Sequence, residues 1–278
     1  MNNLEKSNEY DGFLMGCEES HGYISGNYSR DKDAAFAAIW LAELAAELKK
    51  NGRTLVDYLD ELYCKYGLFN NYLTEIRMLG AVGREKIDLI QKTLRDTKID
   101  SFGNFKIKSM EDCQNRLPIV SETDKYAKDV LIFNLEPIDN TKSIKVTIRP
   151  SGTEPKIKIY FEIGTNPVLP ENLENTRKYI NEVMSDLEKD VMKTCYKIIN
   201  IDFPDRGFLL FWQLPLDLKM KYFDIEDKVE SLKDVSNVES KNQQLNDLLS
   251  FLGSNPIEKV DNAFNAKYGK FIKEYIGL

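Results

Sequence analysis

Arg149-Pro150-Ser151-Gly152-Thr153-Glu154-Pro155-Lys156 separates two segments whose residues alternate apolar and polar, Ser143 to Ile148 and Lys156 to Ile163. Alternation of period two is the signature of half-buried strands, and so short a connection predicts an antiparallel hairpin. The connecting loop carries an unusual set of donors. Pro150 fixes φ just after the first strand, and Gly152 lets the backbone come close to an anion. The N–H groups of Ser151, Gly152 and Thr153 are expected to form a concave nest, with the Ser151 and Thr153 hydroxyls as further donors. Arg149 offers a planar fork and Lys156 a point charge, both suited to phosphate oxygens. The same residues also read as an ordinary hairpin loop with Pro and Gly in turn positions.

Working outward, Tyr72–Met78, Phe105–Lys108 and Val130–Leu135 read as further strands, and Gly83 to Asp96 as a helix with Ile87, Ile90 and Leu94 on one face. A long helix is expected from Leu169 to about Ile199, with Pro170 in its first turn. Nearer the N-terminus, Phe13–Gly16 reads as a short buried strand running into the turn Cys17–Gly22. Asp31 or Asp33 caps a helix whose stripe of Phe36, Ile39, Trp40, Leu41, Leu44 and Leu48 predicts packing by one face. A second helix starts at Thr54, with Asp57 three residues on, and stops at Tyr66 before Gly67. Beyond about Asn200 the stretch FPDRGFLLFWQLPLD is apolar and broken by Pro and Gly. Asp224–Leu252 and Asn262–Ile276 then show helical spacing. The expected organisation is a partial α/β domain over 1–68, an α+β domain with an antiparallel sheet over 69–198, and a mainly helical tail over 199–278.

Composition narrows the function classes. With 278 residues, 42% hydrophobic, the chain has enough apolar material for a buried core. Its net charge of −7 argues against nucleic-acid binding by bulk charge, while leaving room for a local basic pocket. The longest apolar stretch, Ala34–Leu48, is interrupted by Glu43 and Glu47 and is too short to cross a bilayer. The N-terminal MNNLEKSNEYDG is polar, so a cytoplasmic location is expected. Cys17, Cys64, Cys113 and Cys195 form no CxxC pair and read as free thiols in a reducing compartment. The single histidine, His21, excludes a multi-histidine metal site.

Two further motifs can carry chemistry. Glu18-Glu19-Ser20-His21-Gly22 lies between a strand and a helix, where ligands tend to bind in α/β domains. Its carboxylates can accept from sugar hydroxyls, and Ser20 can donate or accept; a solvated acidic turn is the alternative. In Arg30-Asp31-Lys32-Asp33 the aspartates are explained by the helix dipole, whereas Lys32 is not. A lysine there could hold a phosphate or shuttle a proton if its pKa fell.

Taken together, GCEESHGY (16–23), RDKDA (30–34) and RPSGTEPK (149–156) resemble, in order and spacing, the α-D-phosphohexomutase family of phosphoglucomutases and phosphomannomutases, over roughly residues 10–195. The resemblance implies a four-domain fold around one cleft, three α/β domains followed by a smaller α+β domain. It implies interconversion of hexose 1- and 6-phosphates through a bisphosphorylated intermediate. Carried over residue by residue, Glu18 and Ser20 match the sugar-binding pair, and Lys32 matches a lysine assigned to substrate contact or acid–base work. Arg149, Ser151, Gly152, Thr153 and Lys156 match the grip on the non-transferred phosphate. His21 departs from the family pattern, since it directly follows the serine.

The family's phosphoserine loop, Ser-His-Asn-Pro, and its Mg²⁺ loop, Asp-Gly-Asp-x-Asp-Arg, do not occur in these 278 residues. The expectation is therefore the C-terminal part of a phosphohexomutase: a remnant of the third α/β domain, the small α+β domain, and the tail. By family it is an isomerase, an intramolecular phosphotransferase, expected to be inactive alone. No cofactor or metal is expected in this chain; Mg²⁺ and hexose 1,6-bisphosphate are implied for the complete enzyme. The expected partners are a hexose phosphate and either a polypeptide carrying the missing N-terminal domains or a second copy of the chain, with no nucleic acid and no membrane. A non-catalytic sugar-phosphate-binding or protein-interaction module is the alternative. The tail or a second chain is expected to cover the helix Ala34–Leu48.

Overall fold

The computed structural model describes residues 6–7, 12–18, 22–26, 31–115 and 128–278. The chain divides into two compact units, one of Met1–Leu68, Arg116–Lys128 and Thr165–Arg177, the other of Phe69–Asn115, Asp129–Gly164 and Lys178–Leu278.

In the first unit β1 (Met15–Glu18) pairs antiparallel with β2 (Gly22–Ser25), with Cys17 opposite Tyr23. The expected strand thus begins at Met15 rather than Phe13, and it is not buried: Met15 is exposed. Helix α1 (Ala34–Lys50) starts where Asp33 accepts from the N–H groups of Ala35 and Phe36. The N–H of Asp33 donates to the Tyr23 carbonyl at 2.7 Å, fixing the helix start to the hairpin. Helix α2 (Leu55–Tyr66) opens with a complete Thr54/Asp57 capping box, as expected. The Thr54 hydrogen bonds hold the Asp57 carboxyl below the usual range. Arg177 pairs with Asp60 and lies over the Tyr63 ring at 5.6 Å, and the Thr165 hydroxyl accepts from Leu68 N–H at 2.9 Å.

The packing expected of α1 is not what the structure shows. Of its stripe only Leu48 is buried, while Ile39 is 60% exposed, Trp40 47% and Leu41 55%. The helix meets β2 and α2. Phe36, Ala37 and Ala45 are partly covered.

The second unit holds a six-stranded sheet with order β3-β8-β7-β6-β5-β4. The strands are β3 (Phe69–Arg77), β4 (Ser101–Phe102), β5 (Phe105–Asp112), β6 (Leu131–Leu135), β7 (Thr141–Pro150) and β8 (Lys156–Thr165). The alternation read in the sequence becomes two faces. Ile144, Val146, Ile148, Ile157, Ile159, Phe161, Leu131 and Phe133 are buried on one, with α3 (Gly80–Asp96) supplying Ile87, Ile90 and Leu94. Helix α4 (Leu173–Ile198) reaches β3 on this face, where Asn181 accepts from Asn70 at 2.9 Å. The other face carries the alternate residues, among them Lys145, Thr147 and Arg149 on β7, Lys156, Lys158 and Glu162 on β8, and Glu75 and Arg77 on β3.

Residues 199–278 fall in the same unit as the sheet. Helices α5 (Leu216–Ser231), α6 (Val238–Leu249), α7 (Asp261–Tyr268) and α8 (Ile272–Ile276) close around Tyr222, Val229, Leu245, Leu249, Phe264 and Ile272. Asp217 caps the start of α3 by accepting from Leu79 N–H at 3.0 Å. The helix expected over 224–252 is two helices separated at Leu232–Asn237, and the one expected over 262–276 breaks at Gly269, whose φ of 76° is left-handed. Among the described residues no helix is long and apolar enough to cross a membrane. All four cysteines are free, and burial pushes the Cys195 thiol up to about 12.

Candidate functional site

The N-terminal motif residues are described in part. Ser20 and His21 lie outside the described residues, as does Arg30. Glu18, at the end of β1, and Lys32, just before α1, are brought together: the Lys32 ammonium pairs with Glu18 Oε1. Gly22 explains how. A Cβ at this position would stand 2.3 Å from Lys32 Cδ and 2.8 Å from Glu18 Cγ, so the lysine stem crosses the hairpin through the space that glycine leaves, and a larger residue would require these side chains to shift. Lys32 N–H donates to Asp31 Oδ1 at 2.8 Å, which settles the backbone before the cap at Asp33. A carboxylate and an ammonium in contact at a strand end offer one acceptor and one donor to a hydroxylated ligand.

The loop between β7 and β8 belongs to the second unit. Its flanks are committed to structure. Ser151 N–H donates to the Lys156 carbonyl at 2.8 Å, Ser151 Oγ accepts from Glu154 N–H at 3.3 Å, and the Pro155 carbonyl accepts from Met78 N–H at 3.0 Å. The expected nest is therefore narrower than read from the sequence, because the Ser151 N–H is spent on closing the hairpin. Gly152 and Thr153 form the exposed tip, and a Cβ on Gly152 would meet nothing within 4 Å. Gly152 does not use a left-handed φ. Arg149 is exposed on the open sheet face, on the same side as Lys158 of the neighbouring strand. Lys156 is not a lone point charge. Its ammonium is 2.6 Å from Glu154 Oε2 and 3.7 Å from Glu75 Oε1. The Lys156 hydrogen bond, with Arg77 and Lys158 nearby, holds the Glu154 carboxyl below its usual range.

Two arginines not singled out from the sequence complete the cluster. Arg77 stands opposite Lys156 in the β3–β8 register and donates to Glu75 Oε2 at 2.7 Å. Arg84, in the second turn of α3, donates from Nη1 to the Ser151 carbonyl at 2.8 Å and from Nε to Asp88 at 3.0 Å. Arg77 was visible as the end of an alternating strand, but its pairing with β8 was not. Arg84 sits near the start of a helix and carried no local signal. The loop thus lies among Arg77, Arg84, Arg149, Lys156 and Lys158, against Glu75, Asp88 and Glu154. Such a cluster can hold an anion with both forked and point-charge donors. Among the described residues no group of three or more His, Cys, Asp or Glu could hold a metal ion.

Comparison with known proteins finds similarity to phosphoglucomutases. Residues 2–66 match the family model described as "Phosphoglucomutase/phosphomannomutase, alpha/beta/alpha domain III", and the chain is similar to the C-terminal part of phosphohexomutases. Among curated relatives, a phosphoglucomutase of Staphylococcus aureus is 30% identical over 165 residues, covering 58% of this chain and 29% of the relative. A phosphoglucomutase of Staphylococcus epidermidis is 33% identical over 157 residues, covering 55% of this chain and 28% of the relative. The chain thus spans less than a third of the length of these relatives. Among solved structures, the exocytosis-sensitive phosphoprotein pp63/parafusin of Paramecium, a phosphoglucomutase in its open form, matches with a TM-score of 0.43 and 16% identity, over 73% of this chain and 34% of that one.

Proposed function

We propose that this chain is the sugar-phosphate-binding part of a phosphohexomutase, gripping hexose hydroxyls with Glu18 and Ser20 and the non-transferred phosphate with the 149–156 loop. The observation that carries the reading is the loop itself. Its flanks are fixed by Arg84, Met78 and the hairpin closure, while its tip and Arg149 are exposed among cations. In this reading Arg149, Ser151, Gly152, Thr153 and Lys156 bind phosphate. Lys32, already tied to Glu18, contacts substrate or takes part in proton transfer. The domain division that goes with it is a sugar-binding part over 1–68, a phosphate-binding domain over 69–198 and a helical tail over 199–278.

The phosphoserine and metal loops on which phosphoryl transfer depends lie outside these residues. They would be supplied by other sequence of the same enzyme or by a partner polypeptide. The exposed apolar side of α1 favours such a partner or a second copy of the chain. Free thiols suit a reducing compartment, and we place the protein in the cytoplasm.

Calorimetric titration of the full chain with glucose 1-phosphate tests the grip. Arg149→Ala removes a charged hydrogen-bond partner, a loss of about 1.5–3 kcal/mol or roughly 10- to 150-fold in affinity. Equal affinity in the variant would overturn the assignment of the loop.

A further inference from the structure

The loop holds a carboxylate where its ligand's charge would go. Lys156 has two acidic neighbours, and they differ in kind. Glu75 is on a strand, its side chain only 10% exposed, and it is shared with Arg77 at 2.7 Å. It is a fixed counter-ion. Glu154 is on the loop, its side chain 53% exposed, and its link to Lys156 at 2.6 Å is the shorter of the two. Rotation of one exposed side chain would release it, with no change to the sheet. The Lys156 stem is largely covered, its side chain 13% exposed, so the ammonium cannot move far to meet a ligand, and whatever binds must come to it. With both carboxylates in place, Arg77 and Lys156 are balanced by Glu75 and Glu154. With Glu154 turned away, the pair of cations keeps one carboxylate and presents a net positive charge beside the open loop tip.

We propose that Glu154 is a tethered competitor: its carboxylate occupies the Lys156 ammonium in the empty loop and must leave before a phosphate can take its place. The inference rests on the phosphate-binding reading of the loop and adds to it a residue that sets affinity and selects for charge. A monoanion gains little by displacing a carboxylate already in contact. A phosphate dianion, also drawn by Arg149, replaces it with a stronger interaction. Glu154 thus acts on the ligand only through Lys156.

The test is titration of the full chain with inorganic phosphate in wild type, Glu154→Gln, Lys156→Met and the double variant, with Arg149→Ala as the reference for the loop. Glu154→Gln is expected to bind phosphate about two- to fivefold more tightly, the range that corresponds to losing an exposed ion pair. The gain should vanish when Glu154→Gln is made in the Lys156→Met background, because the competitor then has nothing to occupy. If wild type binds phosphate and Arg149→Ala weakens it, but Glu154→Gln binds equally or less tightly, the tethered competitor is wrong and the loop assignment stands. If neither wild type nor Glu154→Gln binds phosphate, the loop assignment itself fails. A gain that persists in the Lys156→Met background would place the Glu154 effect elsewhere and overturn the mechanism.

Discussion

Truncating Glu226 should be among the most damaging single changes outside the sheet. Its side chain is 1% exposed, and three segments converge on it. From the turn Asp205–Leu209, Arg206 approaches both carboxylate oxygens, with Nη2 to Oε2 at 2.6 Å. From α7, Lys267 donates at 3.0 Å, and from within α5 the Tyr222 hydroxyl donates at 3.2 Å. In Glu226→Ala the Tyr222 hydroxyl, on a side chain with no exposure, loses this acceptor, a cost of about 1–3 kcal/mol. Arg206 keeps its contact over Phe223 at 4.6 Å but loses its counter-ion. Lys267 retains Asp227 at 3.0 Å and adds little. Breaking a buried pair costs about 3–5 kcal/mol. The partial exposure of Arg206, 24%, argues for the lower half of that range once the hydroxyl is included. At about 2–4 °C per kcal/mol for a unit of this size, the melting temperature should fall by roughly 6–16 °C. Urea unfolding, followed by circular dichroism and by Trp212 fluorescence in a Trp40→Phe background, reads the change. Because the helices after residue 199 share a unit with the sheet, both signals should shift together. A loss below about 1 kcal/mol would show that the network contributes no more than an exposed pair. A shift confined to Trp212 would show that these helices unfold apart from the sheet.

Two further outcomes are expected. Burial pushes Lys219 down to about 8 from 10.5, against the opposing pull of Glu188. Between those values the unfolded chain binds the extra proton, so wild-type stability should rise with pH across this window relative to Lys219→Met, by on the order of 3 kcal/mol in total. A wild-type-minus-variant difference that stays flat from pH 8 to 10.5 in urea titrations would refute the burial argument. For catalysis, the 278-residue chain supplied with Mg²⁺, glucose 1-phosphate and glucose 1,6-bisphosphate should show no mutase turnover, since it contains no Ser-His-Asn-Pro nucleophile loop. Turnover by the pure chain in a coupled dehydrogenase assay would refute that.

What the sequence showed and what it hid follow the range of the interactions. The β7–β8 hairpin was legible because its alternation and its turn are both local. The capping box of Thr54 and Asp57 was legible for the same reason. The break at Gly269 had a signal, a glycine in the left-handed region, that helical spacing alone overrode. The break after Leu232 had none, since no Gly or Pro marks it. The α1 stripe identified an apolar surface correctly, but periodicity says only that a face is apolar, not that anything covers it.

The same distinction runs through the candidate site. Arg149, the loop tip and Lys156 are contiguous in sequence and form a motif. Arg77 reaches the loop only through the antiparallel β3–β8 register, which sets it opposite Lys156, and Arg84 only through a helix whose start lies beside Met78. These non-local residues change the chemistry more than their absence from the motif suggests. Arg84 holds the Ser151 carbonyl and so helps fix the direction in which the tip points. Glu75, shared between Arg77 and Lys156, offsets part of the positive charge of that pair, which a reading of the motif alone does not count. A reading limited to the motif counts Lys156 as fully available. In the fold its ammonium is in contact with two carboxylates, Glu75 and Glu154, so any anion that came to it would also meet residues that repel it.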